Sequence, residues 1–418
     1  MKKPDFLKKK KKREKQSDRK YMSYEDVPLT TFKDNDPAPA NLTKKFFKVL
    51  AIMFVGVITV LALVNIDKLT PDNIAHWIQY ELLGKSEGGG YPARFVGTSI
   101  NTENFAVMDR SPVYCSNTSI VVLNSNAGEY QNNQHSFANP IMKTYNDYSL
   151  IYNADATGYR IIDRNSILYS GTAEHKLFDA DIAGNGTYAL LTYGSDYLSE
   201  LTVNGKDNKK IYGYSFAEYY VSNVSVSPDG TRAALSGISA KDGALISVIY
   251  ILDFSQKAYF QKYEFEDTYI YDICYLENNK VIAIGDNAVI HVDIDKKKFK
   301  ELSYNSRVLT TYSIKKDYGV VLSLSENPDG RECDIVAINS DGKKDSEVAT
   351  GQRILSLDYY NEKICVLMLN DFSIYNFKGS QLYHQEVSSD ARKICFCDAN
   401  TLYILGTSNI YKYQADYS

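Results

Sequence analysis

The chain has 418 residues, of which 44% are apolar and 23% charged, and this composition is typical of a folded protein rather than a disordered one. The length suits two or three average domains or one large repeat fold. The net charge of −4 conceals an asymmetry, because residues 1–48 carry +8 and the remainder carries −12. A basic segment of this kind is typical of a tail that contacts a membrane or a partner, and the acidic remainder argues against a nucleic-acid partner.

The basic residues of the tail include one unbroken block. Segment 1–45 is predicted to be a disordered cytoplasmic tail near anionic lipid headgroups, where each charge adds about 1 kcal/mol of attraction. In the alternative interpretation the tail docks a cytoplasmic partner, and phosphorylation at residues such as Ser17 or Thr30 regulates the contact. The block consists of Lys8, Lys9, Lys10, Lys11, Lys12 and Arg13.

An apolar segment follows the tail. Residues 49–64 contain a single polar side chain, and the segment extends to 46–66, about the length that crosses a bilayer as a helix. Because Lys44, Lys45 and Lys48 lie on its N-terminal side, that side is predicted to be cytoplasmic and the C-terminal domain extracellular. A cleaved signal peptide is the alternative, although the leader is long and no small-residue cleavage site follows. The sequence therefore predicts a single-pass plasma-membrane protein with an uncleaved signal anchor.

Segment 67–92 is predicted to form a short juxtamembrane helix and a Gly-rich hinge. Thr70 suits the N-cap of this amphipathic helix and Pro71 suits its first position. Trp77 and Tyr80 are predicted to anchor the helix at the membrane interface. Packing of this helix on the base of the outer domain is the alternative.

The remaining segment, 93–418, repeats one short pattern without helical periodicity. In each repeat a hairpin turn precedes an apolar strand, and that strand ends in Asn, Asp or Gln before a polar turn. The period averages about 41 residues, which is typical of a β-propeller with four strands in each blade. The sequence thus predicts an all-β, eight-bladed propeller, with seven blades as the alternative. The repeats end at Asn124, Asp163, Asn204, Asp253, Asp293, Asn339, Asn376 and Gln414.

The last repeat has three predicted strands, near 391–397, 401–406 and 409–413, and lacks an outer strand. One unassigned strand, 93–99, precedes the first repeat. Pairing this strand with the last blade would close the ring and remove two exposed sheet edges.

Five segments carry a family resemblance. They are LTPDNIAHWIQYELLG (69–84), GYPARFVGTSINTENF (90–105), HSFANPIMK (135–143), LIYNADATGYRI (150–161) and VSPDG (226–230). These segments resemble DUF5711, an uncharacterised bacterial family, over a range from about residue 46 to the C-terminus. The resemblance implies a bacterial cell-envelope protein with a TolB-like or WD40-like propeller, and it supplies no catalytic residues.

Motifs of known chemistry are missing from the sequence. No nucleophile elbow, P-loop or dinucleotide fingerprint is present, and the five histidines lack metal-ligand spacing. His291 is interpreted as a structural strand residue, and the six cysteines as buried small hydrophobic residues. Asp155, Asp163 and Asp179 fit hairpin turns, with exposure to a central channel as the alternative. No catalytic, cofactor-binding or metal-binding residue is predicted.

Tyrosine pairs provide the one candidate ligand face. Their rings suit the binding of a glycan or peptide, although about half of them are expected to pack between blades. The six residues are Tyr219, Tyr220, Tyr269, Tyr271, Tyr359 and Tyr360.

These features favour a membrane-tethered, extracytoplasmic, non-catalytic binding or scaffold module for an envelope protein or a cell-wall polymer. Two alternatives stay open. One is a cell-wall glycan hydrolase or lyase with carboxylates in the propeller funnel. The other is a transmembrane sensor that uses its cytoplasmic tail.

Overall fold

The structure is a computed structural model, and it describes residues 50, 52, 53, 56 and 88–417. The chain divides into two compact units, 1–70 and 71–418. In the first unit the four described residues are helical. The rest of the predicted transmembrane helix, the juxtamembrane helix with Trp77 and Tyr80, and the basic block from Lys8 to Arg13 lie outside the described residues. Among those that are described, no helix has both the length and the apolarity to cross a membrane.

The second unit is an eight-bladed β-propeller, as the repeat period predicts. Its 32 described strands form eight antiparallel sheets of four strands each. Neighbouring sheets meet through their first strands, which are therefore the innermost. We number the strands in chain order and the blades by their innermost strands.

The strands of the first four blades follow one another without a crossover. Blade 1 contains β2 Ile100–Met108, β3 Ser111–Ser116, β4 Ser119–Leu123 and β5 Glu129–Gln134; blade 2 contains β6 Pro140–Tyr145, β7 Tyr148–Asn153, β8 Gly158–Ile162 and β9 Ile167–Thr172. Blade 3 contains β10 Leu177–Ile182, β11 Tyr188–Thr192, β12 Ser199–Asn204 and β13 Lys210–Phe216; blade 4 contains β14 Tyr220–Val226, β15 Arg232–Lys241, β16 Ala244–Asp253 and β17 Gln261–Glu266.

The last four blades include the single exception to sequential order, in blade 8. Blade 5 contains β18 Ile270–Leu276, β19 Lys280–Gly285, β20 Ala288–Asp293 and β21 Lys298–Ser303, with a 3₁₀ turn at Glu277–Asn279; blade 6 contains β22 Val308–Lys315, β23 Gly319–Ser325, β24 Cys333–Asn339 and β25 Lys344–Gln352. Blade 7 contains β26 Ser356–Tyr360, β27 Lys363–Leu367, β28 Asp371–Asn376 and β29 Gln381–Glu386; blade 8 contains β30 Lys393–Phe396, β31 Thr401–Leu405, β32 Asn409–Gln414 and β1 Ala93–Arg94.

Blade 8 receives its outer strand from the start of the described segment. Ala93 pairs with Ile410 and Arg94 with Asn409, in antiparallel register. The strand covers two residues, whereas the sequence pattern predicts 93–99. Beyond it, Phe95 joins the apolar cluster between blades 8 and 1.

The core consists of eight apolar clusters, one between each pair of adjacent blades around the ring. Strands β3, β11 and β31, each the second strand of its blade, are buried at every residue. The second strand of a blade contacts a neighbouring blade on each of its two faces, so its sequence is mostly apolar and does not alternate between apolar and polar residues. The ring is closed, because blade 8 packs against blade 1.

Candidate binding face and central channel

The two ends of the sheets define two faces of the ring. Each innermost strand begins at one end, here called the upper face, and ends at the other, the lower face. Because neighbouring strands are antiparallel, the second-to-third and blade-to-blade connections lie on the upper face. The first-to-second and third-to-fourth turns lie on the lower face.

The tyrosines of the predicted ligand face separate between these two faces. Tyr269 and Tyr271, beside the start of β18, are 38% and 46% exposed and contact each other edge to face, with ring centroids 5.2 Å apart. Tyr220, at the start of β14, is half-buried and packs on Phe178. Tyr219 is buried, and its hydroxyl donates to Glu264 Oε1 at 2.8 Å.

The remaining pair lies at the end of β26, on the lower face. Tyr359 stacks on Tyr318 with ring centroids 4.1 Å apart, and Tyr360 packs on Phe396. Since these two rings pack against other side chains on the opposite face from the first four, the six tyrosines do not form one surface.

Two exposed tyrosines that the sequence reasoning missed lie on the upper face. Tyr193 and Tyr197, in the connection between β11 and β12, are 38% and 47% exposed. Tyr193 contacts Phe178 and Tyr220, with ring centroids 4.8 and 6.4 Å away. Tyr193 and Tyr197 are four residues apart, so they do not stand out in the sequence as a close tyrosine pair.

The innermost strands share one pattern of hydrogen bonds along the channel. The channel-facing edge of an innermost strand has no neighbouring strand, so its N–H groups need other acceptors. Polar side chains of the preceding blade supply them. Val224 N–H donates to Asp179 Oδ2 at 2.8 Å, and Phe396 N–H donates to Asp358 Oδ2 at 2.9 Å. Other such acceptors are Asn104 for Met142, Asp181 for Val226, Ser225 for Tyr275 and Ser356 for Ile394.

Asp179 therefore lies on the innermost strand of blade 3 rather than in a hairpin turn. It is buried, and it also accepts a hydrogen bond from the Tyr152 hydroxyl at 3.1 Å. Asp163 does lie in a turn, where Oδ1 accepts the N–H groups of Asn165 and Ser166. Asp155 has a positive φ of 59° in the turn after β7.

Lysines from blades 2 and 6 reach into the channel. Lys143 Nζ lies 3.6 Å from Asp179 Oδ1, and the attraction of this carboxylate raises the pKa of Lys143 well above its usual value. The Lys143 side chain is 35% exposed, and because β6 is an innermost strand this exposed surface borders the lumen. Lys315 pairs with Asp358 at 2.8 Å.

Lys316 crosses the channel at the lower face. Its Nζ donates to Asp181 Oδ2 at 2.9 Å and to the Val226 carbonyl at 2.8 Å, and it lies 4.8 Å from the Tyr145 ring centroid. These partners belong to blades 3, 4 and 2, whereas Lys316 follows β22 of blade 6. The contacts tie opposite sides of the ring together.

Three of the channel carboxylates thus have structural partners. Asp179, Asp181 and Asp358 each accept a backbone N–H and pair with a lysine. Within 88–417, no group of three or more His, Cys, Asp or Glu side chains could hold a metal ion. His291 is buried in β20, where Nε2 hydrogen-bonds to the Ser340 carbonyl at 2.7 Å, which fits its structural interpretation.

The cysteines are free thiols, and five of the six are buried, as the sequence predicts. The exception is Cys397, which is partly exposed. Burial raises the pKa of Cys115 and Cys274 to about 12, and these thiols are therefore protonated at neutral pH.

Comparison with solved structures finds chains that align with about three quarters of this one. The C-terminal WD40 domain of Sif2 is 9% identical, with a TM-score of 0.53, over 76% of this chain and 98% of that one. BamB from Moraxella catarrhalis is 13% identical, with a TM-score of 0.48, over 77% and 99%. Hydrazine synthase from Kuenenia stuttgartiensis is 10% identical, with a TM-score of 0.45, over 77% and 98%. At such identities the likeness concerns the fold alone.

Comparison with curated proteins finds no significant match. A family profile, described as a family of unknown function, matches residues 95–413. This range is shorter than the one inferred from the sequence motifs, since it begins after the juxtamembrane segment. The match covers the propeller from Phe95 to Tyr413, so the chain belongs to the DUF5711 family.

Proposed function

We propose that the chain is a membrane-tethered, extracytoplasmic binding module that holds an envelope protein or a cell-wall polymer without transforming it. The observation that carries the proposal is the set of exposed aromatic rings on one face. Tyr193, Tyr197, Tyr269 and Tyr271 are each more than a third exposed, and all lie on the upper face of blades 3 and 5. Tyrosine is enriched at interfaces because it combines a large apolar ring with a hydrogen-bonding tip.

The scaffold supports a binding role. Eight apolar clusters hold the blades against each other, and β1 covers the edge of the last blade. Connections on a rigid scaffold of this kind can present side chains at fixed positions, and a preorganised surface loses little entropy on binding.

The glycosidase alternative has less support. Such an enzyme uses two carboxyl groups that flank the scissile bond, one as acid and one as base or nucleophile. In the channel, Asp179, Asp181 and Asp358 instead bind backbone N–H groups and lysines. No described residue bears on the sensor alternative, because the tail lies outside them.

Capture from native membranes would test the binding role. The intact chain, with a photoreactive group at position 197, should crosslink a specific partner or polymer in membranes of its own organism. The double variant Tyr269→Ser/Tyr271→Ser should reduce this yield severalfold. Tyr259, which is 45% exposed on the lower face, supplies the control, and Tyr259→Ser should leave the yield unchanged. Equal yields from all three chains would refute a ligand site on the upper face.

The membrane tether is tested separately. Residues 46–66 are mostly apolar, and Lys44 and Lys45 precede them, which supports an anchor with the N-terminus in the cytoplasm. Protease added to intact protoplasts should digest the propeller and spare a tag placed at residue 1. A protected propeller would contradict the proposed topology.

A further inference from the structure

The upper face of blades 2–5 is acidic as well as rich in tyrosine. Its connections carry seven carboxylates and two basic residues, Lys176 and Arg307, and the exposed Lys241 ends β15 on the same face. Arg307 is paired with Asp334 and Glu347. Glu218 is paired with Lys262 at 3.0 Å. The other six carboxylates are exposed and form no ion pair with another described residue. They are Asp155, Glu174, Asp196, Asp242, Asp267 and Asp286.

These carboxylates and the exposed rings occupy the same connections. Asp196 is adjacent to Tyr197 in the connection between β11 and β12, and Asp267 lies two residues before Tyr269. Burial and the neighbouring Tyr193 hydroxyl raise the pKa of Tyr220, and the nearby Asp155 carboxylate adds to the shift. A negative ring face beside a carboxylate favours a cation from two directions, through the ring quadrupole and through the ionic charge.

Blade 4 already holds one of its own lysines in this way. Lys262 Nζ lies 4.6 Å from the Tyr219 ring centroid and 5.7 Å from that of Tyr250. The same ammonium is 3.0 Å from Glu218 Oε2 and 2.9 Å from Glu264 Oε1. Lysine between tyrosine rings and carboxylates is thus an arrangement that this part of the fold accommodates.

We propose that the upper face of blades 2–5 docks a lysine- or arginine-bearing segment of a protein partner. The six unpaired carboxylates would bind its cations, and Tyr193, Tyr197, Tyr269 and Tyr271 would cover its aliphatic stems. This inference rests on the binding role proposed above and specifies the partner. An anionic wall polymer would be repelled by this surface, and a neutral glycan would not need the carboxylates.

The test uses the full chain in zwitterionic nanodiscs and a fluorescent nona-lysine peptide as the probe, with a neutral Gly-Ser peptide of equal length as reference. The triple variant Asp155→Asn/Asp196→Asn/Asp267→Asn should weaken binding of the lysine peptide about tenfold. The matched control is Asp317→Asn/Asp341→Asn/Glu362→Gln, which removes the same charge from exposed residues of the lower face. The control should change the affinity less than about twofold, because its charges are distant from the site.

A second pair of variants separates the ring from its apolar area. Tyr269→Phe/Tyr271→Phe keeps the ring faces and should retain binding, whereas Tyr269→Leu/Tyr271→Leu should weaken it severalfold. Equal weakening by the two triple variants would mean general attraction to an acidic protein and would overturn the proposal. So would binding of chitohexaose that depends on the tyrosines but not on the carboxylates. If the tyrosine variants abolish native capture while the lysine peptide does not bind, the binding role stands and the cationic partner is wrong.

Discussion

Two constraints require glycine at position 230, namely the backbone conformation of Gly230 and a neighbouring side chain. Gly230 lies in the turn between β14 and β15 with a φ of 71°, and a Cβ at this position would lie 2.5 Å from Asn185 Oδ1. Gly243, in the connection between β15 and β16, has a φ of 86° but open space around it. Both positions need the left-handed conformation, and only Gly230 also needs the absence of a side chain.

Replacement of each glycine by alanine should separate the cost of the backbone conformation from that of the contact with Asn185. Gly243→Ala should lower the free energy of unfolding by about 1 kcal/mol, the cost of a left-handed backbone for alanine. Gly230→Ala should lower it by about 2 kcal/mol or more, because Asn185 must also move. Urea denaturation followed by circular dichroism measures both losses. Equal losses would show that the contact with Asn185 is relieved at no cost.

Asp293 links the stability of the fold to pH. It lies at the end of β20, where its carboxylate pairs with Lys280 and Lys296 and accepts the Lys296 N–H. Burial raises the pKa of this carboxyl, but the hydrogen bonds from the two lysines outweigh it and bring the pKa well below its usual value. A folded-state pKa below the unfolded value stabilises the protein above the unfolded pKa, about 3.9, and the contribution is lost as the pH falls further.

Asp293→Asn should therefore destabilise the protein by about 2 kcal/mol at pH 7. The difference between the variant and the parent chain should shrink as the pH falls below about 4. Guanidinium unfolding at pH 7 and pH 3.5 measures it. A difference that stays constant over this range would assign the loss to the amide rather than to the charge.

Within each blade, the sequence predicts the hydrogen bonds that join residues close together in the chain. Asn or Asp at the end of a third strand is visible because its side chain closes the following turn. For example, Asn339 Oδ1 accepts the N–H groups of Asp341 and Lys343, and Asn376 Oδ1 accepts those of Lys378 and Ser380. Such bonds span two to four residues, so they leave a regular trace, from which the eight blades could be counted.

Contacts between residues that are distant in the chain produce no comparable sequence pattern. Lys316 and Asp181 are 135 residues apart, and no periodicity relates them. The placement of Tyr359 and Tyr360 on the lower face depends on the end of β26 at which they lie. The length of the closing strand depends on the last blade, since only Ala93 and Arg94 find partners on β32.

Closure depends more on packing than on this short ladder. Phe95 follows β1, is 6% exposed, and contacts the Tyr114 ring edge to face in the cluster between blades 8 and 1. Phe95→Ala should lower the free energy of unfolding by about 3 kcal/mol, because it opens a cavity at the closing interface. Arg94→Ala, at an exposed position of β1, should change it by less than about 0.5 kcal/mol.

Thermal unfolding of the two variants and of the parent chain measures these two losses of stability. A large effect of Arg94→Ala with little effect of Phe95→Ala would show that the ladder, rather than the apolar contact, closes the ring.

For the whole molecule, the channel is a second source of cohesion besides the blade interfaces. Apolar clusters join only adjacent blades, whereas Lys316 joins blade 6 to blades 2, 3 and 4. Lys316 and Asp181 have side-chain exposures of only 9% and 11%. A buried ion pair contributes little net stability, but removing one partner leaves the other charge buried and uncompensated.

Lys316→Met should therefore destabilise the protein by about 3 kcal/mol, because Asp181 loses its counter-charge at the lower end of the channel. Asp181→Asn should also be destabilising, and the double variant should lose less than the sum of the two single losses, with a coupling of about 1–3 kcal/mol. The exposed pair of Lys209 and Asp207 provides the control, and Lys209→Met should leave the unfolding midpoint unchanged. Urea unfolding of the single and double variants completes the cycle. Additive losses at Lys316 and Asp181 would mean that the two residues stabilise the ring independently, and that the channel does not brace opposite blades through this pair.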